Sequence, residues 1–170
     1  DESVNNKRKA NDIYASLLSK NMAYELQFQT RLKVAKSTNL TNKANAEKVV
    51  KSFKKLLRDD NNREYFDQIH YEIANVYLES GDRSKAIEHY KLSAWLGDDN
   101  FSQKANTYLA LGDLYFNENS FEQAGSYYDS CASIVPQNHP NYNEIVKQQN
   151  ILSGLISNLQ AIKTQDSLQA

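Results

Sequence analysis

Apolar residues recur along this chain at intervals of three and four, the spacing of helices that bury one face. Ile13, Leu17 and Leu18 share a face of a first helix, about Asn6 to Ser19. Leu26, Phe28, Leu32 and Ala35 make a second run, which fades at Ser37–Asn42. The Ser, Thr and Asn side chains there compete for backbone hydrogen bonds and so form turns and caps. From Ala46 to Leu57, Val49, Val50, Phe53, Leu56 and Leu57 fall on one face, and Asp59–Asn62 end the run. Two helix pairs are expected next, about Arg63–Asp98 and Phe101–Pro136. Beyond Pro136, Asn141–Glu144 reads as a capping box. It opens a closing helix over about 141–163, with Ile145, Leu152, Leu155, Ile156, Leu159 and Ile162 in an apolar stripe and a polar outer side.

The two helix pairs are edited copies of one another. IANVYLESGDRSKAIEHYKLS, from Ile73, aligns with LGDLYFNENSFEQAGSYYDS, from Leu111, at a constant offset of 38. Ala74 meets Gly112, Tyr77 meets Tyr115, Gly81 meets Asn119, Ala86 meets Ala124, Tyr90 meets Tyr128 and Ser93 meets Cys131. Gly81 takes the left-handed backbone without a Cβ penalty, and Asn is the next most tolerant residue, so both copies encode the same turn. A period of this size points to stacked supersecondary units that bury apolar surface against their neighbours.

Composition narrows the reading further. Only 5 Gly and 2 Pro occur in 170 residues, which gives hairpins and strands little support and favours an all-α chain. Lys and Arg number 20 against 21 Asp and Glu, a net charge of −1, so there is no electrostatic footprint for nucleic acid or an anionic membrane. Cys131 is the single cysteine, which excludes an intrachain disulfide and leaves the redox compartment open. No apolar run approaches the ~20 residues of a membrane span. The chain starts Asp-Glu-Ser with no signal peptide, as expected of a processed chain or an excised fragment. The first helix is then expected to belong to a preceding repeat whose other helix is missing.

The repeated set, Ile73, Ala74, Tyr77, Gly81, Ala86, Tyr90 and Ser93, then Leu111, Gly112, Tyr115, Ala124, Tyr128, Cys131 and Pro136, resembles the tetratricopeptide repeat, a helix-turn-helix of about 34 residues. Small residues let the paired helices approach and the tyrosines fill the remaining volume. The longer period implies roughly one extra helical turn near Gly97–Ser102. The resemblance implies an all-α fold: an α-solenoid of antiparallel helix pairs in a tetratricopeptide-like superhelix, with a long C-terminal capping helix. One such domain is expected over 1–170, with clear repeats at about 67–100 and 105–136, a degenerate repeat at about 22–59 with Lys33 at its small-residue position, and the partial helix 6–19.

In this family the first helix of each pair lines a concave groove. Its inward positions map to Gln68, Tyr71, Asn75 and Leu78, and to Asn106, Leu109, Asp113 and Phe116. Tyr71 and Leu109 stand where a carboxylate clamp needs Lys, so the groove suits a helix or an extended segment better than an acidic peptide. Alternatively, the closing helix fills the groove from within the chain. The convex face, with Glu88, Lys91, Glu122 and Ser126, is the other candidate surface.

Candidate chemistry is thin. His70, His89 and His139 have no ligand spacing with one another or with Cys131, so neither metal nor cofactor is expected. His70 sits at a packing position and Cys131 at a small-residue position, both structural roles. Asp59-Asp60-Asn61 and Asp98-Asp99-Asn100 lack the alternating ligands of a calcium loop and fit turns that cap the next helix. No catalytic residue is nominated, and an enzyme is not expected.

At larger scale, DDNNREYFDQIHYEIANVYLESGDRSKAIEHYKLS, QKANTYLALGDLYFNENSFEQAGSYYDS, HPNYNEI and the tail QDSLQ, in that order, resemble the C-terminal half of tetratricopeptide lipoproteins of the bacterial gliding-motility and type IX secretion machinery, the PorW/SprE type. This resemblance implies a periplasmic scaffold held to the outer membrane by a lipidated N-terminus absent here. Its partners would be other proteins, components of the envelope or secretion machinery, with no nucleic acid and no membrane insertion by this segment. The rival expectation is a soluble peptide-binding or regulatory adaptor in the cytoplasm.

Overall fold

Polar caps and small residues fix where the helices begin, and the arrangement recurs along the chain. A computed structural model describes Lys9, Ile13 and residues 24–168. The expected helix 6–19 lies outside the described residues except for Lys9 and Ile13, both helical. Seven α-helices follow among the described residues: α1 (Tyr24–Ser37), α2 (Lys43–Lys54), α3 (Phe66–Glu79), α4 (Arg83–Leu96), α5 (Phe101–Phe116), α6 (Phe121–Ile134) and α7 (Tyr142–Leu168). Two 3-10 turns, Leu56–Arg58 and Asp60–Tyr65, join α2 to α3. The fold is all-α, built from helix pairs and closed by a long C-terminal helix. Its contacts divide it into two compact units, Asp1–Ser93 and Ala94–Ala170.

In the first unit, Asn42 caps α2: its Oδ1 accepts the Ala44 and Asn45 amides at 3.0 and 3.3 Å. The run from Ala46 buries Val49, Val50, Phe53 and Leu56, with Phe28 of α1 edge-on to Phe53. Buried Arg31 donates from Nε to the Ser52 carbonyl at 2.9 Å, supplying a donor to the last turn of α2. Asp59 accepts the Asn61 amide at 3.1 Å, and buried Asn62 donates to the Leu56 carbonyl at 2.9 Å, so the acidic stretch is a capped turn.

Lys33 does not hold a small-residue position: it is exposed, while Arg31 and Ala35 turn inward. The connection Thr38–Asn42 is longer than the turn Ser80–Asp82, which shifts the register of the first helix relative to the second. The second helix is in plain register. Asn42, Asp82 and Ser120 each precede a helix, and the amides of buried Ala46, Ala86 and Ala124, four residues on, donate to their carbonyls at 3.0 Å each.

Helices α3 and α4 bury Ile69, Ile73, Ala74, Val76 and Tyr77 with Ala86 and Tyr90. Their turn is set by Gly81 at φ 80°, with the Gly81 amide on Leu78 and the Asp82 amide on Tyr77. The second unit repeats this with Asn119 at φ 59°, its amide on Phe116 and the Ser120 amide on Tyr115. The turn predicted from two different residues is thus one geometry. Helix α5 starts at Phe101, three residues ahead of the Lys104 position equivalent to Phe66, and Asn100 accepts the Gln103 amide at 3.3 Å. That is the extra length near Gly97–Ser102.

In the second unit, α5 and α6 approach so closely at Gly112 that an added Cβ would stand 3.0 Å from the Tyr128 ring. Two apolar clusters follow: Ala105, Cys131, Val135 and Ile145, and Ala124, Tyr128 and Leu152. Ile156 of α7 lies where a Cβ on Gly125 would be. The expected capping box does not form, because the Asn141 amide donates to His139 Nδ1 at 3.2 Å while Glu144 accepts from Gln148. The closing stripe is buried at Ile145 and Leu152, yet Leu155, Leu159 and Ile162 are exposed. Helix α7 has 27 residues against 14 in α6, so at about 1.5 Å per residue it outruns the helix it packs on.

Candidate protein-interaction surface

The first helix of each clear pair carries the expected groove positions. On α3, Gln68, Tyr71 and Asn75 are half-buried and Leu78 is 40% exposed. Asn75 Oδ1 accepts the Tyr90 hydroxyl at 2.6 Å, and Asn75 Nδ2 donates to Glu72 Oε2 at 3.2 Å. Burial raises the Glu72 carboxyl above its ordinary range, opposed by the Asn75 bond and by Lys36. The Tyr71 ring tilts against Tyr90 at 5.5 Å.

On α5, Asp113 accepts the Tyr128 hydroxyl, the bond that Asn75 makes with Tyr90 one repeat earlier. Leu109 packs against both apolar clusters, one of which holds Leu152 of α7. Asn106 Oδ1 meets His139 Nε2 at 3.1 Å. Since His139 Nδ1 accepts the Asn141 amide, the ring proton sits on Nε2 and is donated to Asn106. The closing helix and the loop before it therefore engage part of this face. Phe116 stays 42% exposed, its ring edge-on to Phe121. Glu88, Lys91, Glu122 and Ser126 on the second helices are all exposed.

Sequence spacing did not show that His70 and His89 meet. Their Nδ1 atoms lie 2.8 Å apart, and Tyr77 packs on His89 at 5.6 Å. Burial, with His89 and Lys54 nearby, lowers His70 to about 4; burial, with Lys54 nearby, lowers His89 to about 4. The signal lay in the repeat: Tyr108 and Tyr127, one period on, meet at 6.2 Å, and Tyr115 stacks on Tyr127 at 5.5 Å. Each unit thus has its own ring pair at this register. Cys131 donates to the Ala105 carbonyl at 3.2 Å, and burial, with Asp113 nearby, pushes its thiol up to about 11. It is a packed thiol rather than a nucleophile.

Among the described residues no group of three or more His, Cys, Asp or Glu could hold a metal ion. No described helix is long and apolar enough to cross a membrane. What recurs on the surface is apolar: Leu78 and Phe116, separated by the repeat period, both face solvent at the last turn of their helices. No curated protein matches the chain. Residues 67–94 and 105–138 match the tetratricopeptide repeat family. Over these two segments, which contain α3 with most of α4 and most of α5 with α6, the chain is similar to tetratricopeptide repeats.

Proposed function

We propose that this chain is a non-enzymatic scaffold whose protein partner docks on the first-helix faces of the repeats, with Leu78 and Phe116 as apolar anchors. The observation that carries this reading is their equivalence: the same register position is large, apolar and exposed in both repeats. Tyr71 and Asn75 contribute more to their own repeat, through Tyr90, and Asp113 to the next, through Tyr128. Gln68 and Asn106 offer amides to a partner backbone, an arrangement suited to a helix or extended segment.

The proposal extends to location. The ordered series of sequence phrases supports a periplasmic scaffold of a type IX secretion and gliding-motility apparatus, held at the outer membrane by a lipidated N-terminus preceding residue 1. Fractionation of cells expressing the full-length protein, with a labelled fatty acid, tests it. Recovery of labelled protein with the outer membrane is the expected result. Unlabelled protein in the cytoplasmic fraction would contradict it and favour a cytoplasmic adaptor.

A further inference from the structure

We infer that copies of this chain associate through opposite charges, the basic face of α2 in one copy meeting the acidic face of α6 in another. Lys48, Lys51 and Lys55 follow at intervals of three and four, which sets them on one side of the helix, and Arg58 comes three residues later in the 3-10 turn beyond it. All four are exposed, and among the described residues none pairs with an acid. Glu47, the one acid on α2, is taken by Lys85 at 3.6 Å. The face is thus a row of cations with no counter-charge of its own.

The complement lies on the same chain, which identifies the occupant as a second copy. Near-neutral net charge conceals a separation: residues 1–93 hold 17 Lys and Arg against 13 Asp and Glu, whereas residues 94–170 hold 3 against 8. From 105 to 146 there are five Asp and Glu and no Lys or Arg. On α6 the only charged residues are Glu122 and Asp129, both exposed. They stand seven residues apart, as do Lys48 and Lys55, so each pair spans about 10 Å of helix and the two match end to end. A lipid or nucleic acid fits this face less well. Helix α2 exposes no large apolar side chain to enter a bilayer, and its one aromatic residue, Phe53, is buried and cannot stack on a base. Single exposed ion pairs contribute little, so the contact depends on these charges acting together and fades as salt rises.

Sedimentation equilibrium of the 170-residue chain over a concentration series, at about 0.02 M and about 0.5 M salt, tests this. The mass is expected to climb above 19.4 kDa in low salt and to return to it in high salt. Lys48→Glu with Lys51→Glu and Lys55→Glu, and separately Glu122→Lys with Asp129→Lys, should each hold the chain at 19.4 kDa in low salt with helicity unchanged. An equimolar mixture of the two reversed chains should climb again, because the acidic α2 of one meets the basic α6 of the other. That recovery also shows that both variants fold. Crosslinked, this contact yields a multiple of the chain's own mass and is thereby distinct from an adduct with a foreign partner. A chain monomeric in low salt at every concentration, a mass insensitive to salt or to the α2 reversal, or a mixture that stays at 19.4 kDa overturns the inference. So does a monomer that binds phosphatidylserine vesicles or duplex DNA through α2, which would give the basic face to another occupant.

Discussion

Gly112 leaves no space for a side chain, because the Tyr128 ring already stands where a Cβ would touch. Gly112→Leu is therefore expected to destabilise the second unit by about 1–3 kcal/mol, the usual cost of overpacking. An unchanged thermal midpoint would show that the two helices are not in this contact. The small positions were legible because the repeat lined them up; the histidine contact was not, since nothing in a separation of 19 residues says that two rings meet. Its pH consequence has a definite sign. An unfolded histidine takes a proton near 6.5, while His70 and His89 in the folded chain resist it down to about 4. Their contribution to stability is thus complete above pH 6.5 and declines as pH falls toward 4. Burial is the main cause for both rings, Lys54 on α2 adds to it, and His89 on α4 acts on His70 of α3; Tyr77 on α3 also faces the pair, packed on His89. The thermal midpoint should drop over that window. The double variant His70→Tyr with His89→Tyr, which copies Tyr108 and Tyr127, should flatten the part of the drop above pH ~5, where carboxylates remain ionised. An equal drop in the double variant would assign the effect elsewhere.

Helix α2 shows how much of an element can be read from spacing alone. The run of Val49, Val50, Phe53 and Leu56 gave its buried face, while the helix opens at Lys43, behind the Asn42 cap, three residues ahead of the expected Ala46. What spacing did not give was the partner register, because the longer loop before α2 shifts α1 and puts Lys33 outside. Ala46→Leu should accordingly cost about 1–3 kcal/mol, as at a close helix contact, whereas Lys33→Ala should stay within about 0.5 kcal/mol. Chemical denaturation of the two variants checks this, and the reverse ranking would restore the original register. Helix α7 carries the complementary lesson. Its stripe was legible as a pattern, yet burial depends on how far the neighbouring helix reaches, which no local pattern contains. The capping box failed for a similar reason: His139, two residues upstream, took the amide that Glu144 would have accepted.

For the molecule as a whole, near-neutral charge and the repeated small and aromatic residues made an interaction scaffold legible, while the groove positions could be mapped only by analogy. The structure sorts those positions by their neighbours. Tyr71→Ala should lower the thermal midpoint because its ring rests on Tyr90, and Phe116→Ala, at an exposed position, should leave the midpoint nearly unchanged while weakening partner capture. A Phe116 variant that keeps full capture would remove it from the list of anchors. The most direct measurement is photo-crosslinking in cells from single positions on the full-length protein. A crosslinking residue at Leu78 or Phe116 should trap a protein partner, and the same residue at Lys91 or Ser126 on the second helices should not. Adducts formed only from Lys91 and Ser126 would contradict docking on the first-helix faces and move the partner to the second helices.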